Sequence, residues 1–308
     1  IIFIAGEKDR RDSEIYQAWQ VITAAYDQKG SGGRIQALEF LNSEPRRNPW
    51  FWLTWNRESL EGLEAPKASL RGVRLSDAIL VFANLQQANL QQANLQRANL
   101  RRANLQKTSF SYSNLQKADL SYANLQKARF KFTDLKEANL EHANLQAANL
   151  RAANLQDANL WAANLQEASL RAANLQDANL EAAYLQRANL ENAYLEGADF
   201  KRAYLQNANL GNAYLEGVNL QNANLEAANL QRANLGNAYL GGANLRDAEL
   251  SKANFKNAFY TDESTFKYTC KKLYLRYPCP TIFPEKFNPK TAGMKLIKEF
   301  KDIPKDIP

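Results

Sequence analysis

The side chains with the greatest capacity for chemistry are few and scattered. His142 is the single histidine among 308 residues, and Cys270 and Cys279 are the only cysteines. A histidine works as a general base when a nucleophile or an orienting carboxylate stands beside it. The sequence forces neither next to His142. The two cysteines sit in a Tyr- and Pro-containing stretch, where their spacing permits a disulfide or two separate thiols. With no histidine nearby, they lack the ligand set of a structural zinc. Gly30-Ser31-Gly32-Gly33 is glycine-rich but follows a helical pattern, whereas a phosphate cradle follows a strand. No G-x-S-x-G elbow, phosphate loop or H-E-x-x-H pair occurs. The carboxylates are dispersed and define no cleft in which a pKa would shift. This reading is of a protein that is not an enzyme, with no cofactor and no metal site.

The elements around these residues fall into three parts. Residues 1–56 form a helical lead-in or cap. Ser13 is placed to cap a helix in which Ile15, Trp19, Ile22 and Tyr26 recur at helical spacing, and a second short helix carries Ile35, Leu38 and Leu41 before Pro45. The tract Trp50, Phe51, Trp52, Leu53 and Trp55 is read as a cover for the first coil of the repetitive region, with binding of a membrane or a partner as the alternative. The apolar Ile1–Ile4 stretch precedes Lys8, Arg10 and Arg11, which reads either as the end of a removed membrane segment whose basic flank lies on the cytoplasmic side or as an ordinary amino-terminal strand without its start Met. Membrane attachment through such a segment, and a location in the cytoplasm or on the cytoplasmic face of a membrane, are the resulting expectations. Residues 57–260 are repetitive. Residues 261–308 are an irregular extension with Pro278, Pro280, Pro284 and Pro289.

The repeat dictates the architecture. From Leu70 to Phe255 every fifth residue is Leu or, at Phe110, Phe130, Phe200 and Phe255, Phe; two positions earlier stands mostly Ala, and one position earlier mostly Asn. A helix advances about 100° per residue, so a period of five scatters leucines around it, and a strand of period two sends them to alternate faces. A short extended piece that turns once per repeat buries both Leu and Ala. Such pieces stack at strand spacing, about 4.8 Å. The recurrent Asn is suited to satisfy turn backbone and to stack on the next coil.

The Ala-Asn-Leu units, as at 83–85, 88–90, 143–145 and 153–155, resemble the pentapeptide-repeat family. The resemblance implies an all-β solenoid, a right-handed quadrilateral β-helix with four repeats per coil and a small helical N-terminal cap. The segments Trp19–Ile22, Gly30–Ile35 and Ala37–Glu39, and Phe283–Pro289 with Ala292–Met294, resemble the ends of some cyanobacterial members. Residues twenty apart then share a column. That places Tyr184 over Tyr204 and Tyr194 over Tyr214, with Tyr239 separate, Tyr112 near Phe132, Tyr122 near His142, and Phe110 over Phe130 in the interior.

The aromatic columns are read as ladders that stabilise the stack or as a face for partner contact, and the candidate interaction surface is Tyr184, Tyr194, Tyr204, Tyr214, Tyr239, Trp161, Arg97, Lys107, Lys117 and Lys127. Between residues 86 and 255 there are 17 basic and 15 acidic residues. Members of the family that protect DNA gyrase are thought to mimic DNA through a strongly acidic surface, which this chain lacks. The favoured function is therefore a structural or protein-interaction scaffold with a protein partner. The alternative is a regulatory nucleic-acid or topoisomerase-interacting protein, with direct nucleic-acid binding the less favoured partner class.

Overall fold

A computed structural model describes residues 2–25, 33–43, 58–262 and 280–297. The tract around Trp50, the Gly30–Gly32 stretch, Tyr26, Cys270 and Cys279 lie outside the described residues. From Leu60 onward, one five-residue unit repeats. After each Leu or Phe the chain makes a two-residue turn, and from Glu64 to Tyr239 every fifth residue, the one before each repeat centre, bridges the residue twenty positions later, as in Asn84–Asn104 and Asn104–Asn124. Twenty residues thus make one layer, with four turns and four bridged sides. Sides A, B, C and D are named here by Asn84, Asn89, Asn94 and Asn99.

The unit satisfies all five of its backbone amides. For Leu85–Asn89, the Leu85 and Gln87 amides donate to Asn104 O and Gln106 O in the next layer (2.9 and 2.8 Å), and the Asn89 amide donates to Ala68 O in the previous one (2.8 Å). The Ala88 amide closes the turn onto Leu85 O at 3.0 Å. The remaining amide, that of Gln86, donates to the side-chain Oδ1 of Asn84 at 3.3 Å. Buried or half-buried amides need partners, and the recurrent Asn supplies the one that the backbone cannot. Its Nδ2 also donates across layers, as from Asn159 to Asn139 Oδ1 at 3.2 Å.

Leu and Ala fill the interior. Every Leu from Leu60 to Leu245 and the Ala two residues before most of them are buried. Phe110 and Phe130 stack in one interior column, 4.9 Å apart and 5° from parallel. Thr108, Ser113 and Thr133 stand where Ala is usual, and their hydroxyls donate to Leu85 O (2.7 Å), Phe110 O (2.6 Å) and Phe110 O (2.7 Å). The three polar substitutions beside the phenylalanines are therefore hydrogen-bonded and buried. Ala65, where the Leu pattern lapses, is also buried, and its amide still donates to Asn84 O.

The expected all-β class, and with it the β-helix and solenoid description, is corrected. Among the described residues, extended strand is confined to β1 (Phe259–Tyr260) and β2 (Lys295–Leu296), a parallel pair; every other pairing is a single-residue bridge. The reason is local. The second turn residue of each unit has φ between 52° and 73°, whether glycine or not. A left-handed residue at every fifth position interrupts extended backbone before two consecutive residues can pair. The body is a stack of turns held by isolated bridges.

Two helices lie ahead of the stack. α1 spans Ile2–Ala24 and α2 spans Arg34–Leu41. Ser13 lies inside α1 and does not cap it, because Glu7, Lys8, Arg10 and Arg11 are good helix formers that extend the helix toward the amino terminus. Ala18 and Ile22 of α1 and Ala37, Leu38 and Leu41 of α2 join the same buried cluster as Leu60 and Leu63. The helices therefore cover the apolar end of the first layer. Glu39 accepts from the Arg74 amide at 2.9 Å, and Asn42 Nδ2 donates to Ser76 O at 2.9 Å, which fixes α2 on the stack. At the far end, residues 280–297 fold back. Ile282 bridges Asn244, and Phe283, Phe287 and Met294 pack onto the last interior layer.

Candidate interaction surface

The outward side chains occupy the bridged position and the two turn positions of each unit. Tyr184 and Tyr204 replace Asn on side A, with rings 5.1 Å apart and 4° from parallel; Tyr194 and Tyr214 do the same on side C, at 5.1 Å and 3°. All four are 41–45% exposed. Tyr239 is different. It lies on side D next to Phe259, is 3% exposed, and its hydroxyl is buried without a hydrogen-bond partner. Burial pushes its pKa up to about 12. It offers no surface for contact.

Each exposed tyrosine gives up the side-chain oxygen that holds the following turn. Asn164 Oδ1 accepts from the Gln166 amide at 3.1 Å, and Asn224 Oδ1 from the Glu226 amide at 3.0 Å. The equivalent amides of Gln186, Glu196, Gln206 and Glu216 follow a Tyr, whose side chain has no oxygen within reach of the turn. Glu196 Oε2 and Gln206 Oε1, in the turns just after Tyr194 and Tyr204, are buried without partners. A shallow polar groove lined by Gln166, Gln186, Arg187 and Gln206 runs along the turns beside side A.

Trp161 occupies the turn between sides D and A. It meets His142 edge-on at 4.7 Å, and His142 stacks on Tyr122 at 5.0 Å. The imidazole is thus packed between aromatic rings, and among the described residues no nucleophile or carboxylate is hydrogen-bonded to it. Further down the same column, the Arg102 guanidinium lies between the Phe82 and Tyr122 rings, 5.7 and 5.9 Å from their centroids. The twenty-residue spacing of 82, 102 and 122 carried that signal, but Phe82 and Arg102 do not stand out in the sequence alone. Tyr112 and Phe132 stack at 5.2 Å in the turns between sides B and C.

The four candidate cations separate into two pairs. Arg97 is ion-paired with Asp77, and Lys117 with Glu137 at 3.1 Å, both in the turns between sides C and D. Lys107 and Lys127 occupy the turns between sides A and B. Both are exposed, and neither has a carboxylate within ion-pair distance among the described residues. Higher in that column, Arg187 pairs with Glu167 at 3.8 Å. Asp199, on side D, is shifted upward chiefly by burial. Among the described residues no group of three or more His, Cys, Asp or Glu is placed to hold a metal ion, and no helix is long and apolar enough to cross a membrane.

The family profile described as pentapeptide repeats matches overlapping stretches that run from residues 59–92 to 223–259. The chain belongs to the pentapeptide-repeat family. Among solved structures, this pentapeptide-repeat protein is similar to HetL, a pentapeptide repeat protein involved in heterocyst differentiation regulation from the cyanobacterium Nostoc sp. strain PCC 7120. The two share 38% identity over 64% of this chain and 89% of HetL, with a TM-score of 0.63. It is also similar to Rfr23 from the cyanobacterium Cyanothece 51142, at 45% identity over 28% of this chain and 58% of that one, TM-score 0.28. A third is alr5209 from Nostoc PCC 7120, at 36% identity over 38% and 84%, TM-score 0.32. Comparison with curated proteins finds no match.

Proposed function

We propose that this pentapeptide-repeat protein is a non-catalytic interaction scaffold, and that the exposed tyrosine stacks on sides A and C are its principal contact with a protein partner. The observation that carries this reading is the exchange made at each tyrosine. A stacked pair on neighbouring bridged positions is worth roughly 0.2–1 kcal/mol. The two turn hydrogen bonds that the pair forgoes are worth about 0.5–1.5 kcal/mol each. The stacks therefore cost the fold more than they return, which is the mark of residues kept for contact. Tyrosine also combines a large rigid ring with a hydroxyl, the composition favoured at protein interfaces. The similarity to HetL, a protein of regulation, supports a regulatory context for such a partner. Trp161 and the exposed cations enlarge the same polar and aromatic exterior.

The test is reconstitution. A partner co-purifying with the full chain is expressed separately, and the purified pair is run on size exclusion with the wild-type chain and with the variant Y184N/Y204N/Y194N/Y214N. The expected result is a complex with the wild type that is lost with the folded variant. Equal retention by both would remove the tyrosines from the interface.

A further inference from the structure

The stack has one strongly basic flank, and the ion pairs define it. Arg101 and Arg102 in the turns between sides D and A, Lys107 and Lys127 between A and B, Arg129 on side B, and Lys131 and Arg151 between B and C lie within neighbouring layers. None of the seven is ion-paired with a carboxylate among the described residues, whereas Arg97, Lys117 and Lys136 on the other flank are paired with Asp77, Glu137 and Asp157. From residue 82 to residue 151, sides A and B and the turns that flank and join them carry a single carboxylate, Glu141, which accepts from the Tyr122 hydroxyl at 3.4 Å. Uncompensated charge of one sign across a surface raises the local potential and steers ligands of the opposite sign.

We propose that this flank docks an acidic α-helix of a protein partner. The inference rests on the reading of the chain as a protein-binding scaffold and names a second contact on it, some layers away from the tyrosine stacks. Three observations select the occupant. First, Arg102 is held between the Phe82 and Tyr122 rings, and Lys131 lies over Phe132 at 5.1 Å. These cations are preorganised, and a guanidinium so held presents its N–H edge to a carboxylate in bidentate geometry. Secondly, the flanking rings are stacked on one another, Tyr112 on Phe132 and Tyr122 on His142. Tyr122 has both faces taken, by His142 and Arg102, and Tyr112 and Phe132 each have one face taken by the other, which narrows the platform on which nucleic-acid bases could stack, while the outward ring edges are electropositive and complement carboxylates. Thirdly, the stacked rings of adjacent layers are 4.9–5.2 Å apart. Side chains three or four residues apart on a helix are about 5–6 Å apart, so a helix lying along the stack axis meets a cation column with a carboxylate at nearly every layer.

The probe is a synthetic alanine-based helix with Glu at every fourth position, titrated by fluorescence anisotropy against the full chain at low and high salt. The variant K107E/K127E/R129E is compared with R232E/R246E/K252E, an equal change of charge at exposed positions near the other end. Binding at low salt that weakens as salt rises, falls by about tenfold or more in the first variant and changes by less than about threefold in the second, supports the proposal. No binding by the wild type at low salt, or equal losses in the two variants, overturns it. So does tighter binding of a DNA duplex or of phosphatidylserine vesicles than of the helix. The milder K107Q/K127Q/R129Q variant, with its unfolding midpoint measured, separates loss of binding from loss of fold. Retention of a tyrosine-dependent partner alongside failure of the acidic helix would reject this inference alone.

Discussion

Replacing Tyr184 and Tyr204 together by Asn should make the protein more stable. In the wild type, the amides of Gln186 and Gln206 lack the side-chain acceptor that Asn164 Oδ1 gives Gln166 at 3.1 Å. Each Asn restores one such bond, worth about 0.5–1.5 kcal/mol, so the double variant gains about 1–3 kcal/mol. It forfeits a stacked pair worth roughly 0.2–1 kcal/mol. The net expectation is a gain of roughly 0–3 kcal/mol, centred on about 1.4 kcal/mol. Each single variant gains one turn bond but already breaks the whole stack (5.1 Å in the wild type), so the second substitution contributes more than the first. Equilibrium denaturant unfolding of the four proteins reads the cycle, and hydrogen exchange at Gln186 and Gln206 reads it locally. Both amides should become as protected as that of Gln166. A double variant less stable than wild type by about 1 kcal/mol, or unchanged exchange at the two amides, would refute the argument that the tyrosines are kept at the expense of the fold.

Three further outcomes are expected from the packing. Leu165→Ala empties a fully buried site and should cost about 2–5 kcal/mol, read as a lowered denaturation midpoint. Asp199→Asn should stabilise the protein at neutral pH by about 1 kcal/mol, because Asn can donate to Asn179 as Asn179 does to Asn159 at 3.4 Å. The folded pKa of Asp199 is raised, so its contribution is fully present below the unfolded carboxylate range and lost as pH rises through the folded value. The advantage of Asn over Asp should therefore shrink on acidification, and unfolding of both proteins at neutral pH and at about pH 4 checks it. Tyr239→Phe removes a buried, unpartnered hydroxyl and should raise stability by about 1 kcal/mol. Because the folded pKa of Tyr239 is pushed to about 12 from 10.0, wild-type stability should fall across that interval. The decline should be shallower in the variant, with a residue of slope left by Tyr260.

The interior was legible in the sequence because its physics is one-dimensional. A large residue at every fifth position and a small one two before it can be buried together only by a chain that turns once per repeat. The i to i+20 columns, which the family resemblance implied, brought Phe110 onto Phe130, Tyr184 onto Tyr204 and Tyr194 onto Tyr214. The class of secondary structure was not legible, since nothing in Gln87, Lys107 or Tyr122 announces a left-handed backbone; the stack imposes φ near 60° on them. The fate of Tyr239 was hidden for a related reason. It has the same repeat position as the exposed tyrosines, and only the packing of the carboxyl-terminal segment around Phe259 distinguishes it. Charge pairing was the least legible part. Lys107 and Lys117 look equivalent in the chain, yet the residue twenty beyond the first is Lys127 and that beyond the second is Glu137.

Every unit makes the same bonds to the layer above and the layer below, so the fold does not register how many units precede a given residue. The exterior does. Inserting a single five-residue unit anywhere between Arg151 and Tyr184 would leave each bridge satisfiable, yet would carry Tyr184 and Tyr204 from side A to the column now held by Asn189 and Asn209. The aromatic stacks would swing a quarter turn around the axis relative to the basic flank. In this protein, chain length is an angular coordinate. The separation between two surface features fixes the azimuth between them, and a partner that spans both reads that angle as well as the side chains themselves.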